Sequence, residues 1–356
     1  MKQEAHLQTF DLVLKTRSPL FIGSGKSDTK KEYIFDSSKN EVTFLDERKL
    51  FAYLAEHDLA DEYESYILRD TSLDLREFMQ NVCKISRAEL DAMTRVRINA
   101  ADALDDRHTL KEIHRFIRNG KGEIYVPGSS IKGAIRMALL KARILDDPDS
   151  ETDIDAAFDE KYFHTLHLRM DKYGQQDRKN AVNSIMQGIR ISDSLPIPDK
   201  NLCLTTKIDE FMDGSSNKIN LCRESIKPGV EIRCSITLDQ SVLKGKITRE
   251  GMLEAIGVAS KHYQETVMDR YEQVSSYMNS RTILMGGGVG FQSKTIIGVV
   301  CPDRELRLTA AILDRAFPKH DHKMRDAEEG ISPRALKQTE YHHASYPYGV
   351  CEVSIQ

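Results

Sequence analysis

Residues 123–145, EIYVPGSSIKGAIRMALLKARIL, constrain this chain more than any other stretch. Glu123 to Val126 is rich in β-branched and aromatic residues and reads as a short strand. Pro127-Gly128 stops that strand and forces a turn. Ser129 or Ser130 then offers a side-chain acceptor for the free N–H groups of a helix start. Apolar residues at Ile131, Ile135, Ala138, Leu139 and Ile144 form a helical stripe. Lys132 and Arg136 are four apart, so they share one helix face close to that start. Unpaired amides, two hydroxyls and two cations together make a phosphate site; the plainer alternative is a capped helix with solvated basic residues.

A second stretch points the same way. Met285 to Thr295, MGGGVGFQSKT, clusters Gly286, Gly287, Gly288 and Gly290 ahead of Phe291, Ser293 and Lys294. Glycines let successive amides turn toward an anion without Cβ interference. The stretch falls short of a P-loop, because Ser293 stands where GxxxxGK[ST] needs glycine. It also runs into Thr295-Ile296-Ile297, which reads as a strand rather than the helix a P-loop requires. Nucleotide hydrolysis is therefore not expected.

At 356 residues the chain is long enough for two domains with separate cores. Its net charge of -4 gives nucleic-acid binding no support by itself, but the charges are unevenly placed. Arg107 to Arg143 is dominated by cations, and Asp146 to Glu160 carries eight carboxylates and no cation before Lys161. Six cysteines without CxxC spacing argue against a zinc knuckle and against a secreted disulfide framework. MKQEAHLQTF has no apolar leader core, and no run approaches membrane-spanning length, so the expected compartment is the cytosol.

In chain order, Leu7 to Lys15 reads as a strand leading to Gly23-Ser24-Gly25-Lys26, a small glycine loop. Tyr33 to Phe35 and Glu41 to Leu45 form a hairpin, and Asp46 caps a helix to Glu56. Helices are expected over Leu59 to Ile85, from Ser86, and over Arg107 to Arg118. This places a helical insertion at about 58–118. Tyr173 to Asn180 is polar and expected to be mobile. Strands follow at 188–192, 202–208, 218–226 and 230–238, with a turn at Lys227-Pro228-Gly229. Thr248 opens a helix to about Asn279, then a strand at 295–300, a helix at 304–317 and a strand at 350–355. Strands alternating with helices, with antiparallel hairpins, favour α+β, divided near residue 190 into domains 1–190 and 191–356.

A strand entering SPLFIGSGK, the PGSSIKGAIR turn, the GGGVGFQSKT loop and the ending PRALKQTEY…GVCEVSI together resemble the RAMP superfamily of CRISPR RNA-binding proteins. Within it, the closer likeness is to the subunits that cap the backbone of type III-A (Csm) effector complexes. It spans Leu7 to Ile355. The resemblance implies two ferredoxin-like (RRM-like) domains and contact with the 3′ region of the guide RNA (crRNA). It also implies docking on the adjacent RAMP backbone subunit and the small subunit, target RNA near the complex end, and a part in crRNA maturation and antiviral defence. No cofactor, metal or catalytic residue is implied. The RNA-contacting positions it implies are Gly23, Ser24, Gly25, Lys26, Ser129, Ser130, Lys132, Arg136, Gly286, Gly287, Gly288, Gly290, Phe291 and Lys294. Spacer-independent grip on RNA needs phosphate and 2′-OH contacts plus stacking, and these residue types supply them. Phe291 is either a stacking platform or a core anchor.

The competing reading is a metal-independent crRNA-processing endoribonuclease with a histidine such as His114 in general acid–base work. His164, His167, His342 and His343 show no fixed partner by spacing, and His320-Asp321-His322 alone is a weak metal motif. Asp171 and Asp177 read as solvated loop carboxylates.

Overall fold

The computed structural model describes residues 6–69, 73–105, 108–110, 112–147, 157–271, 274 and 277–356. The chain opens with β1 (Leu7–Thr16), β2 (Gly23–Asp28), β3 (Tyr33–Asp36) and β4 (Glu41–Leu45). Helix α1 (Glu47–Glu56) is capped by Asp46 as expected, its carboxylate accepting from the amides of Arg48 and Lys49. Then come α2 (Ala60–Leu68), α3 (Leu75–Glu77) running into a π-helical turn at Phe78–Val82, and α4 (Arg87–Met93). The helical stretch expected over 59–85 is broken by Asp74, which starts a new capping box within it, and Ser86 opens a further helix as expected.

Next, β5 (Thr94–Asn99) pairs with β4, and the sheet β3-β4-β5 folds with these helices around its own core. Tyr66, Leu75, Phe78 and Met79 lie at its centre. Strands β3, β4 and β5 thus flank the helices of this cluster in sequence. The helix expected over 107–118 is instead β6 (Ile113–Phe116), held between β2 and β9. Its apolar residues three apart imitate a helical stripe, and pairing on both edges overrides that local signal. Arg107 and Lys111 lie outside the described residues.

The remaining elements are α5 (Gly128–Leu145), α6 (Phe158–Tyr162), β7 (Ile189–Ile191), β8 (Leu202–Glu210), β9 (Ser216–Ile226), β10 (Glu231–Asp239), α7 (Gln240–Leu243) and α8 (Arg249–Thr266). They are followed by β11 (Thr282–Leu284), α9 (Ile297–Val300), α10 (Glu305–Ala316), α11 (His322–Glu329), β12 (Leu336–Tyr341), β13 (Ala344–Pro347) and β14 (Val350–Ile355). Residues 148–156, most of the expected acidic loop, lie outside the described residues.

One sheet has the order β11-β14-β1-β10-β7, with every neighbouring pair antiparallel. Helix α5 connects β1 to β7 and α8 connects β10 to β14, and the two helices pack against each other. Leaving β11 aside, the path is βαββαβ with the last strand beside the first. Leu12, Leu14, Ile236 and Val353 of the sheet meet Ile131, Ile135 and Leu139 of α5 and Met252 and Ile256 of α8. Burying each such side chain contributes about 1.5–3 kcal/mol.

The second large sheet runs β13-β12-β8-β9-β6-β2. Strands β9 and β10, though joined by the Lys227-Pro228-Gly229 turn, belong to different sheets. Both large sheets also take strands from either side of residue 190. A contiguous division at that point therefore does not separate them.

Three further expectations fail locally. Residues 123–126 are extended but make only isolated bridges, from Ile124 to Arg118 and Ile197. Helix α8 stops at Thr266, because Val267, Met268, Tyr271 and Val274 turn into a separate cluster with Ile331 and Leu336. The strand expected at 295–300 is the turn of helix α9, with Thr295 Oγ1 accepting from the Ile297 amide and with Ile297 and Val300 buried. All six cysteines are buried thiols, and no helix among the described residues is long and apolar enough to cross a membrane.

Candidate functional site

The two glycine stretches, 260 residues apart, meet around one ring. Phe21 lies in the strap from β1 to β2, and its carbonyl accepts from the Gly287 amide at 2.7 Å. A Cβ on Gly287 would stand 3.0 Å from that ring, as would one on Gly23. A Cβ on Gly286 would collide with the Phe21 carbonyl. Gly286, Gly288 and Gly290 all have positive φ, so three glycines are required by backbone conformation as well as by space.

On the other side of Phe21 stands Arg223 of β9, its guanidinium 4.9 Å from the Phe21 ring and 5.2 Å from the buried Tyr348 ring. Arg223 Nη1 and the Tyr348 ring lie 2.8 and 2.9 Å from where a Gly288 Cβ would be. Tyr348 in turn donates to the Thr206 carbonyl at 2.7 Å. The amide of Met285 donates to the Gly349 carbonyl, and that of Gly349 to the Pro19 carbonyl. The loop therefore rests on a stack of Phe21, Arg223 and Tyr348, with Gly286, Gly287, Gly288 and Gly290 half-exposed on its outer side.

Gly23-Ser24-Gly25-Lys26 is not a loop but β2 itself, the edge strand of the second large sheet. Its register shifts between Gly23 and Ser27, and Gly25 takes φ +78 there. Gly23, Gly25 and Lys26 are exposed, and Ser24 Oγ donates to the Arg115 carbonyl. Phe291 is half-buried and Lys294 exposed at the far end of the glycine loop. Ser293 Oγ donates back to the Gly290 carbonyl and tightens the turn.

The start of α5 is built differently from the expectation. Neither serine caps it; the helix begins at Gly128, whose amide donates to Asp193 Oδ1 at 2.8 Å. A protein carboxylate thus occupies the place expected for a phosphate. Gly128 is glycine because a Cβ would collide with the Ile191 and Ser192 carbonyls. Lys132 Nζ donates to the Ile189 carbonyl at 2.7 Å, and burial lowers its pKa. Arg136 pairs with Asp159 and lies over the Phe163 ring. Among the described residues, Ser129, Ser130, Lys132 and Arg136 are not brought to the Phe21 cluster.

The site also contains residues that the sequence did not signal. Lys207 of β8 and Lys337 of β12 flank Asp209 at 3.8 and 2.7 Å. Lys337 Cγ comes within 4.0 Å of a Cβ position on Gly290. Burial first, then the charge of Lys337, lowers the pKa of Lys207. Spacing could not reveal this group, since Lys207, Arg223 and Lys337 sit on three different strands.

The histidines are scattered. His114 lies on β6, in register with Arg223 of β9 and Ser27 of β2, rather than in a basic helix. His164 Nδ1 contacts the Arg178 carbonyl. His322 Nδ1 lies 2.9 Å from the buried Asp326. His342 and His343 form the β12–β13 turn with positive φ, both amides donating to Asp102. The segment 173–180, expected to be mobile, is held by Asp171, which accepts from the amides of Tyr173 and Gln175, and by the buried Asn183 side chain, which donates to the Asp177 carbonyl.

Comparison with known proteins agrees with this architecture. The chain is 27% identical over 381 residues to the CRISPR system Cms protein Csm5 of Mycobacterium tuberculosis, covering 99% of this chain and 98% of the relative. It is 26% identical over 298 residues to the Csm5 of Streptococcus thermophilus, covering 81% and 80%. In fold it resembles a chain of the Csm–crRNA–target RNA ternary complex of a type III-A CRISPR-Cas system, with TM-score 0.66, 17% identity and coverage of 97% and 100%. The crystal structure of T. onnurineus Csm5 is similar at TM-score 0.59 and 16% identity, covering 96% and 99%. Residues 13–316 match the RAMP superfamily, and the chain belongs to that family.

Proposed function

We propose that this chain is the Csm5-type subunit of a type III-A CRISPR effector complex, binding RNA without cleaving it. The relatives named Csm5, matched over 98% and 80% of their length, support the assignment to such a complex. We read its βαββαβ sheet as one ferredoxin-like unit and the second large sheet as the other, interleaved in sequence, with the β3–β5 region as the insertion. The subunit caps the backbone beside an adjacent RAMP subunit, with the small subunit and target RNA within reach, and works in the cytoplasm. It holds the 3′ region of the crRNA and so takes part in crRNA maturation.

The observation that carries the RNA reading is the convergence of Gly23–Lys26 and Gly286–Gly290 on Phe21, with Arg223 behind them. Half-exposed glycine backbone beside lysines suits ribose-phosphate, which is recognised by amides and cations independently of base sequence. Phe291, half-buried at the edge, is the stacking position, where base–aromatic contact is worth about 1–3 kcal/mol. Lys26 and Lys294 are the exposed cations of the two segments. Ser129, Ser130, Lys132 and Arg136 are read as fold residues rather than RNA contacts, since Asp193, the Ile189 carbonyl and Asp159 engage this helix start.

The test is charge reversal at Lys26 and Lys294 together. The double variant is expected to bind single-stranded RNA roughly ten-fold or more weakly, and the assembled complex to lose crRNA. Wild-type RNA content and crRNA length in that complex would count against the reading. Incubating the purified chain with labelled precursor RNA and no metal tests the non-catalytic part, where intact RNA is expected. Cleavage abolished by His114→Ala would replace it with the ribonuclease reading.

A further inference from the structure

The glycine loop has a neighbour that the family resemblance did not supply. Strands β8, β9 and β12 present Lys207, Arg223 and Lys337 beside it. Thr205 and Arg223 are register partners on adjacent strands; the β8–β9 register then shifts between Thr206 and Lys207, while along β8 itself Thr205, Lys207 and Asp209 alternate onto one side. Lys337 is the register partner of Asp209, which brings β12 onto the same face. Gly288 is packed against Arg223, and Gly290 faces the stem of Lys337. The loop therefore forms one wall of a half-buried basic patch, and the strands form its floor.

The charge is not balanced within the patch. Asp209 is the carboxylate within ion-pair distance of both lysines. Arg223 lies near enough for its charge to act on Lys207 as well. One of its terminal nitrogens, Nη1, is buried with no hydrogen-bond partner among the described residues. Its guanidinium is held in place by rings rather than by a carboxylate. Three cations facing one anion on a rigid sheet leave net positive potential beside backbone that an anion can approach.

We propose that Lys207, Arg223 and Lys337 form a phosphate subsite that binds a backbone phosphodiester of single-stranded RNA crossing the glycine loop. This rests on the RNA-binding reading above and assigns it a floor. Asp209 spaces the two ammonium groups and limits their pull, so it sets affinity without contacting the RNA. Arg223 is in part a positioning residue, since it also supports the loop through Phe21 and Tyr348.

The experiment uses the full chain and a labelled single-stranded RNA, with affinity measured across a salt series. For Lys207→Gln/Lys337→Gln, weaker binding is expected, with the slope of log affinity against log salt shallower by about 0.7, the value for one lost phosphate contact on a single strand. Asp209→Asn is expected to bind several-fold more tightly at low salt, which a merely structural Asp209 would not produce. If the double glutamine variant keeps the wild-type slope while Lys26→Glu/Lys294→Glu loses binding, the subsite is wrong and the glycine-loop reading survives. Weaker binding by Asp209→Asn would also overturn the subsite, even if the double variant fails to fold. Wild-type protein that binds no RNA at any salt would overturn both.

Discussion

The ammonium of Lys141, buried on α5, donates to the main-chain carbonyl of Gln292 at 3.1 Å. The helix covering the first sheet thereby holds the far end of the glycine loop from inside, and Gln292 Nε2 passes the tie on to the Ser332 carbonyl. Burial lowers the Lys141 pKa to about 8, with Glu305 opposing the shift. An unfolded chain has an ordinary lysine near 10.5, so between about pH 8 and 10.5 the unfolded state binds more protons than the folded one. This group's contribution to stability therefore rises with pH across that window. Melting temperatures of wild type and Lys141→Met measured from pH 7 to 10 should shift relative to each other in the wild type's favour. Parallel curves would show that Lys141 does not titrate as described.

Glu224 is fully buried on β9 and accepts from Arg118 Nη2 with both carboxylate oxygens, at 2.9 and 3.1 Å, and from the Phe116 amide at 3.0 Å. Arg95 lies 3.8 Å away. Replacing Glu224 with alanine takes a buried carboxylate from two arginines, of which Arg118 keeps Asp199 at 2.9 Å, and is expected to cost about 3 kcal/mol. Urea unfolding is the measurement, and a midpoint within error of wild type would refute this account of the sheet's interior.

Two glycines should respond in opposite directions. Gly288→Ala forces a side chain into φ +91 and against Arg223 and Tyr348, for a loss of about 1–3 kcal/mol together with weaker RNA binding. Gly133 lies inside α5 with open space around it, and Gly133→Ala is expected to stabilise by about 0.4–1 kcal/mol. Denaturation of the pair, side by side, checks both signs.

At the start of α5, Asp193→Ala removes the carboxylate that accepts from Gly128 and should cost about 0.5–2 kcal/mol. Ser129→Ala and Ser130→Ala, which remove no cap, should stay within about 0.5 kcal/mol of wild type. The reverse ranking, read from thermal melts, would restore the serines to the capping role that their position suggests.

Much of the fold was legible in local chemistry. Alternation gave β1 and β14, turn residues gave the β3–β4 hairpin, and Asp46, Ser86 and Thr248 begin the helices that their side chains cap. What failed were segments whose state is decided by distant partners. Ile113 to Phe116 becomes a strand because β2 and β9 flank it, and Ile297 to Val300 becomes helical because both end residues are buried there. The site divides along the same line. The glycines and Lys26 could be picked out because glycine runs are visible in a string of letters. Asp193, Asp209, Lys207 and Lys337 are ordinary residues in ordinary strands or turns, and only the pairing of β8, β9 and β12 makes three of them a group.

The position of β1, inside its sheet between β14 and β10, has a consequence for biosynthesis. Strand β1 waits for one of its partners until Val350–Ile355 has emerged from the ribosome, so this pairing is strongly non-local. The core around Tyr66 and Phe78 draws on residues 34–93 alone and can consolidate while translation continues. Until β14 emerges, the edge of β1 that faces it is unpaired, the interval in which a chaperone has an exposed strand edge to protect.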